Sequence, residues 1–245
     1  MKLDLNADVG EGMKTDAALL GVVTSANIAC GAHAGDEASM QATVALALRK
    51  GVGIGAHPGY ADRRNFGRLF LNLPLAEVTS LVADQVSALM AVAIQAGTRL
   101  AHVKPHGALS NQAMVDSDLA LAVARGILLV DQGLVFLVPS GTAMARAGRS
   151  LGMRVVEEIF ADRAYDDRGL LVPRDQPGAV LHGAEVIADR ILKWLESGRM
   201  TTHSGGSIML SAQSVCVHGD TEDAVVIAAL LRQRLEQAGV VISSF

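Results

Sequence analysis

Five of the seven histidines, His33, His57, His102, His106 and His218, stand at or just past the ends of short apolar runs. Carboxylates, amides and cations gather at the same places. "NADVGEG" carries Asn6 and Asp8, which alternate and so point to one side of a strand. "ANIACGAHAGD" adds Asn27, His33 and Asp36; "GAHPGYADRRNFGR" adds His57, Asp62 and Arg68. "HVKPHGALSN" supplies Lys104, His106 and Asn111. "EEIFADRAYDDRGLLVPR" holds Glu158, Asp162, Arg163, Tyr165 and Arg174, and "VCVHGD" holds His218 and Asp220. Histidines with Asp8 and Asp220 nearby can hold a divalent metal or act as general acid and base. Lys104, Arg163 and Arg174 offer a clamp for carboxylate or phosphate.

Each residue also has a plainer role available. Asp36 and Asp220 precede helical patterns and suit N-caps. His102 reads as structural, His182 and His203 as surface residues. Asp62 and Arg68 can pair across a loop, and Asn6 can satisfy backbone near a barrel floor. Cys30 and Cys216 read as small buried apolar residues. A structural explanation would nevertheless have to repeat at six successive run ends.

The elements that must position these groups form an alternation. β-like runs span Leu3–Asp8, Ala26–Cys30, Val52–Ala56, Ala101–Lys104, Val135–Val138, Val155–Phe160 and Ser214–Val217, with a short last run at Val240–Ile242. Helical patterns lie between them at Glu37–Lys50, Leu75–Ala96, Asp118–Leu129, Ala184–Leu195 and Glu222–Ala238. In the longest, Leu75, Val78, Val82, Val86, Leu89 and Ala93 make one stripe, with Pro74 suited to the first turn and Gly97 to the stop. Strand and helix alternating about seven times means parallel βαβ units. An open sheet concentrates its site at one switch point, whereas a barrel collects residues from many strand ends. The spread of the polar motifs therefore predicts an α/β protein: one domain over residues 1–245, a seven-stranded TIM-like β/α barrel.

Composition agrees. Half of the residues are hydrophobic and 19% are charged, enough for a sizeable core. A net charge of −4 favours small solutes over nucleic acid. The N-terminus lacks an apolar targeting stretch, and the long uncharged run of residues 17–35 is too polar to span a membrane. A cytoplasmic protein with reduced thiols is expected. There is no Gly-Lys dipeptide and hence no P-loop, and neither GxSxG nor HExxH occurs.

In order, "LNADVGEG", "ANIACGAHAGD", "GAHPGYADRRNFGR", "VKPHGALSN", "EIFADRAYDDRGLLVPR", "PGA" and "SVCVHGD" resemble the LamB/YcsF family from residue 3 to about 220. The resemblance implies a barrel of the glycoside hydrolase/deacetylase type. It implies cleavage of 5-oxo-L-proline to L-glutamate with ATP as cosubstrate, in a complex with subunits B and C. Ala32 and Ser110 stand where the family pattern has aromatic residues, so pocket shape is expected to differ. On this footing Asp8, His57, Lys104 and His106 are candidate catalytic residues. Asn6, Asn27, Asp162, Arg163 and Arg174 are candidates to hold substrate. Asp8, His33, His57 and His218 are candidate ligands of a divalent metal. A stand-alone metal-dependent deacetylase or amidohydrolase, and a non-catalytic lactam-binding subunit, are the alternatives. Homo-oligomerisation is open.

Overall fold

A computed structural model describes residues 1–220 and 223–245. The strands are β1 (Lys2–Val9), β2 (Ser25–Ala29), β3 (Gly53–His57), β4 (His102–Val103), β5 (Val135–Pro139), β6 (Val155–Phe160), β7 (Arg199–Thr201), β8 (Ser207–Met209), β9 (Ser214–Val217) and β10 (Val241–Ile242). The α-helices are α1 (Asp16–Leu19), α2 (Glu37–Lys50), α3 (Leu75–Gln95), α4 (Gly107–Ala113), α5 (Ser117–Leu128), α6 (Ala143–Ser150), α7 (Ala184–Ser197) and α8 (Ala224–Gln237). Strands β1-β2-β3-β4-β5-β6-β9 pair in parallel in that order, and β9 returns to β1. This is the expected closed barrel of seven strands. β10 pairs with the first residues of β1 (Lys2↔Val241), where β9 has not yet begun.

The period of two explains how the barrel is filled. On β1, Leu3, Leu5, Ala7 and Val9 are buried in the hydrophobic core, while Asp4, Asn6 and Asp8 occupy the opposite face. On β1 the lumen face is therefore polar and the outer face greasy. α3 is long and apolar enough to cross a bilayer on composition alone. Here Val78, Val82, Val86, Leu89 and Ala93 bury its stripe, and it packs most extensively on α5.

Local chemistry sets the ends. Asp36 caps α2: its carboxylate accepts from the Ser39 N–H while the Asp36 N–H donates to Ser39 Oγ, and Gly51 closes the helix in the left-handed conformation. β4 is shorter than expected, although Ala101 and Lys104 still donate to Ile54 and Ala56 carbonyls on β3; Pro105 then removes the next donor. The start of the predicted last long helix, Glu222, lies outside the described residues; the helix itself begins at Ala224. Helices α4 and α6 and the β7–β8 hairpin have no clear signal in the sequence. α6 buries mainly alanines and Gly148, so it lacks the large apolar stripe that marks a helix.

At the N-terminal end of the barrel, Phe245 packs against Val135, Leu137 and Val156, with its ring 5.2 Å from His102. Beside it lies a closed polar cluster. Asp4 accepts hydrogen bonds from Thr24 and Ser25 at 2.7 Å each, and from Ser214.

Candidate active site

The lumen rises in layers from that floor. Asn6 donates to Ser214 Oγ at 2.7 Å and to Glu158 Oε2 at 3.0 Å. Asn27 donates to Asn6 Oδ1 and to Asp8 Oδ1, both at 2.8 Å. His102 Nε2–H donates to Asn27 Oδ1 at 2.7 Å, because an amide oxygen only accepts. That ring lies where any side chain on Gly55 would be: an added Cβ would sit 2.1 Å from His102 Nε2. His102 is structural, as expected. Asn6 and Asn27 are wholly buried below the cavity rather than lining it; Asn27 holds Asp8, and Asn6 accepts from Asn27 and Lys104.

Lys104 is the hub of the next layer. Its ammonium reaches Asp8 Oδ1 at 2.9 Å, Cys216 Sγ at 2.9 Å, Asn6 Oδ1 at 3.2 Å and Glu158 Oε2 at 3.3 Å. Burial alone would strip its proton; the Asp8 charge reverses this and holds Lys104 well above the ordinary lysine range. Burial likewise pushes the Asp8 carboxyl up, but His57 and Lys104 pull it well below its ordinary value. Burial raises Glu158 and keeps Cys216 a thiol. The layer thus centres on one desolvated ion pair, Lys104⁺–Asp8⁻.

Above Asp8 the imidazoles converge. His57 Nε2 is 3.4 Å from Asp8 Oδ2 and 3.0 Å from His106 Nδ1. His57 Nδ1 faces the Lys104 carbonyl at 2.7 Å, and His106 Nε2 faces the Phe66 carbonyl at 2.8 Å. Carbonyls accept only, so both of those nitrogens carry hydrogen. In the neutral rings the two remaining nitrogens then point lone pairs at each other, and a proton or a cation must lie among them. Glu11 joins from the turn after β1, with Oε1 at 3.2 Å from His33 Nε2 and 3.5 Å from His106 Nδ1. Burial, then the Asp8 charge, pushes Glu11 up to about 9. Burial pulls His33 down to about 3, and His106 well below the usual histidine range. His33 stacks on His106 with centroids 3.8 Å apart. Gly67 permits this stacking. It has φ +65°, and a Cβ there would lie 2.7 Å from the His33 Cβ and 3.0 Å from the His106 ring.

Among the described residues, two groups have ligand chemistry. Glu11, His33, His57 and His106 bring one donor atom each within 4.8 Å of one another; Asp8, Cys216 and His218 form a second such group. The expected metal set is thus divided: His33 and His57 fall in the first group, Asp8 and His218 in the second. The first fits a small divalent cation, since two of its histidines donate their other N–H to backbone carbonyls, as ligating histidines do.

A cavity of about 580 Å³ opens over these groups, with Asp8, His57, Lys104 and His106 in its wall and His218, Arg68, Arg163 and Arg174 also lining it. Ser110, where an aromatic was expected, lines it too. Asp162 is buried and meets His218 Nδ1 at 2.8 Å. Arg163 lines the cavity, yet its guanidinium donates to the Val172 and Ala179 carbonyls and braces the 163–180 loop. Arg174 reaches Asp220 at 3.4 Å, and Arg68 reaches the same oxygen at 2.5 Å. Asp220 is therefore an ion-pair partner and not the cap of α8, whose cap position is Asp223. Arg68 does not pair with Asp62, which instead accepts from Asn65 within its own turn. His182 and His203 are exposed, as expected.

Two contributors carry no obvious motif in the sequence. Glu11 sits between Gly10 and Gly12, both with positive φ, which turn the chain back over the barrel mouth. Its only signal is a carboxylate beside a strand end, flanked by glycines. Cys216 shares strand parity with Ser214 and His218, which places it in the lumen.

Comparison with known proteins sharpens the picture. A protein of Nitrobacter winogradskyi named as the A subunit of 5-oxoprolinase is 49% identical, covering 100% of this chain and 98% of that protein. The crystal structure of a lactam utilization protein from Thermus thermophilus superposes with a TM-score of 0.92 at 39% identity, covering 100% of both chains. A polysaccharide deacetylase from Bacillus cereus shares the fold alone, with a TM-score of 0.53 at 12% identity, covering 100% of this chain and 92% of that one. The LamB/YcsF family model matches residues 3–245, and the chain belongs to that family.

Proposed function

We propose that the chain is the A component of a 5-oxoprolinase and carries the hydrolytic step on the cyclic amide, in a complex with subunits B and C. The observation that carries this is full-length identity of 47–49% to relatives named as the A subunit of that enzyme.

The chemistry explains why ATP is needed. The lactam of 5-oxoproline is resonance-stabilised, and neutral water attacks it slowly. Phosphorylation of the lactam oxygen makes C5 electrophilic. We assign that transfer to the partner subunits. Phosphoryl transfer to the lactam oxygen releases ADP and the N–H proton and leaves a C5=N bond. Water adds to C5 and gives one proton to a base while the nitrogen takes one up; as the tetrahedral carbon collapses, the added oxygen gives up its second proton to become the carbonyl, the C5–N bond breaks and the nitrogen takes a second proton from an acid. The product is γ-glutamyl phosphate, and a second water releases phosphate to leave glutamate.

The barrel mouth supplies such a pair. Asp8 is held ionised beside His57, whereas Glu11 is held protonated three residues later. Environments that drive two carboxyl groups apart mark base and acid. His57, oriented by the Lys104 carbonyl and backed by Asp8, takes the proton from water. Glu11 with His106 returns one to the ring nitrogen. Lys104 keeps Asp8 charged and fixed. A divalent cation held by Glu11, His33, His57 and His106 is the second reading, favoured by the facing lone pairs of His57 and His106. Such an ion would supply Lewis acidity at this place.

The test is reconstitution: purified chain with subunits B and C, 5-oxoproline and ATP, following glutamate. Glutamate should form only when this chain is present. Full-rate glutamate from the partners alone would overturn the proposal.

A further inference from the structure

On the rim of the cavity, Arg68 and Arg174 converge on one oxygen of Asp220, at 2.5 Å and 3.4 Å. The guanidiniums are only partly buried, with side-chain exposures of 35% and 27%. Their planar donor forks therefore retain N–H groups for a ligand. The Arg68 guanidinium also lies 4.9 Å from the centre of the Phe66 ring, which fixes its plane. Phe66 in turn accepts the His106 hydrogen bond through its carbonyl, so the rim and the imidazole cluster share one turn.

The charge balance at this rim is informative. Arg68, Arg174 and Asp220 sum to one positive charge. Asp162 pairs with His218 deeper in the wall, and Asp166 pairs with Arg168 at 2.8 Å in solvent. Asp175 lines the outer wall but is exposed, so water screens it. Arg163 has its guanidinium turned to backbone carbonyls.

We propose that Arg68 and Arg174 form a clamp for the single carboxylate of the ligand, and that Asp220 sets the clamp's charge so that it takes one singly charged group. This rests on the proposed lactam substrate, which carries one carboxylate, at C2, whether or not the lactam oxygen on C5 bears a phosphoryl group. Asp220 holds both forks in place before the ligand arrives, which lowers the ordering cost of binding. The incoming carboxylate completes neutrality at the clamp; a second negative charge brought to the clamp would be left uncompensated.

The experiment is a calorimetric titration of the intact chain with three probes: L-5-oxoproline, its carboxamide, and cyclopentanecarboxylate, which has the ring and charge but no lactam. Wild-type chain should bind L-5-oxoproline at least about tenfold tighter than the carboxamide. Arg68→Gln and Arg174→Gln should each weaken L-5-oxoproline by about 10- to 100-fold, the range for a hydrogen bond to a charged group, and flatten the acid-to-carboxamide ratio. Arg68→Lys should recover part of it, as a charge without the fork. Asp220→Asn should improve binding of the dianion malonate relative to L-5-oxoproline. Arg168→Gln, outside the clamp, should change nothing. An acid-to-carboxamide ratio untouched in both arginine variants would overturn the clamp, as would no saturable binding of either acid to the wild type. Arginine-dependent binding of cyclopentanecarboxylate as tight as that of L-5-oxoproline would uphold the clamp while refuting the lactam substrate.

Discussion

The two ends of the same lumen are both polar and both buried, yet they differ in one respect. At the floor, Asp4 is surrounded by hydroxyl donors from Thr24, Ser25 and Ser214, and Phe245 seals the end. At the mouth, His57 and His106 turn acceptor nitrogens toward each other, and His33 Nδ1 has no hydrogen-bond partner among the described residues; below the cavity the atoms so left are the single Glu158 Oε1 and His102 Nδ1, each on a side chain otherwise bonded into the network. A satisfied network specifies structure; an unsatisfied one in a cavity waits for something to complete it. That difference locates chemistry at the mouth and architecture at the floor.

The largest lever on the contrast is pH. Glu11 is raised from 4.5 to about 9 in the folded chain, first by burial and then by Asp8. A raised carboxyl stabilises the fold fully below its unfolded value and loses that contribution as pH rises through the folded one. In chelator-treated protein, stability should therefore fall between about pH 4.5 and 9, by at most about 1.4 kcal/mol per pH unit from this group. Glu11→Gln should flatten that slope; denaturant melts across the range compare the two. An identical slope in the variant would show that Glu11 is ionised in the fold.

Lys104→Met comes next. It leaves Asp8 buried without its cation, and breaking such a pair costs about 3–5 kcal/mol. Thermal unfolding near neutral pH should show it; an unchanged midpoint would mean the ion pair is not desolvated. The smallest effect is expected at the floor. Ser214→Ala removes one hydroxyl from Asp4 and one acceptor from Asn6, for about 1–3 kcal/mol of stability. Turnover per folded molecule should stay intact. A stable but inactive Ser214→Ala chain would erase the distinction between floor and mouth.

Much of this is legible in the sequence. Alternation of apolar runs and amphipathic stripes specifies the barrel, because parallel strands buried on both faces and helices with one greasy side leave period signatures. Asp8, His57, Lys104 and His106 are legible because they recur at strand ends. Pairings are not: Arg68 with Asp220 spans 152 residues, and no local pattern encodes which distant carboxylate a guanidinium meets. The orientation of Arg163 toward carbonyls depends on the fold of its own long loop. Glu11 is hidden by its neighbours, since a Gly-Glu-Gly turn reads as a connection until the glycines' positive φ aims it inward.

If the mouth opens the ring while partner subunits activate it, the two half-reactions must separate when the imidazoles are lost. The most direct measurement follows ATP hydrolysis and glutamate together in the complete enzyme carrying His57→Ala and His106→Ala in this chain. Glutamate formation is predicted to fall by about 10²- to 10⁴-fold, as for loss of a general base, with the labelled γ-phosphate still transferred to the lactam. Glutamate at the wild-type rate would contradict that division of labour.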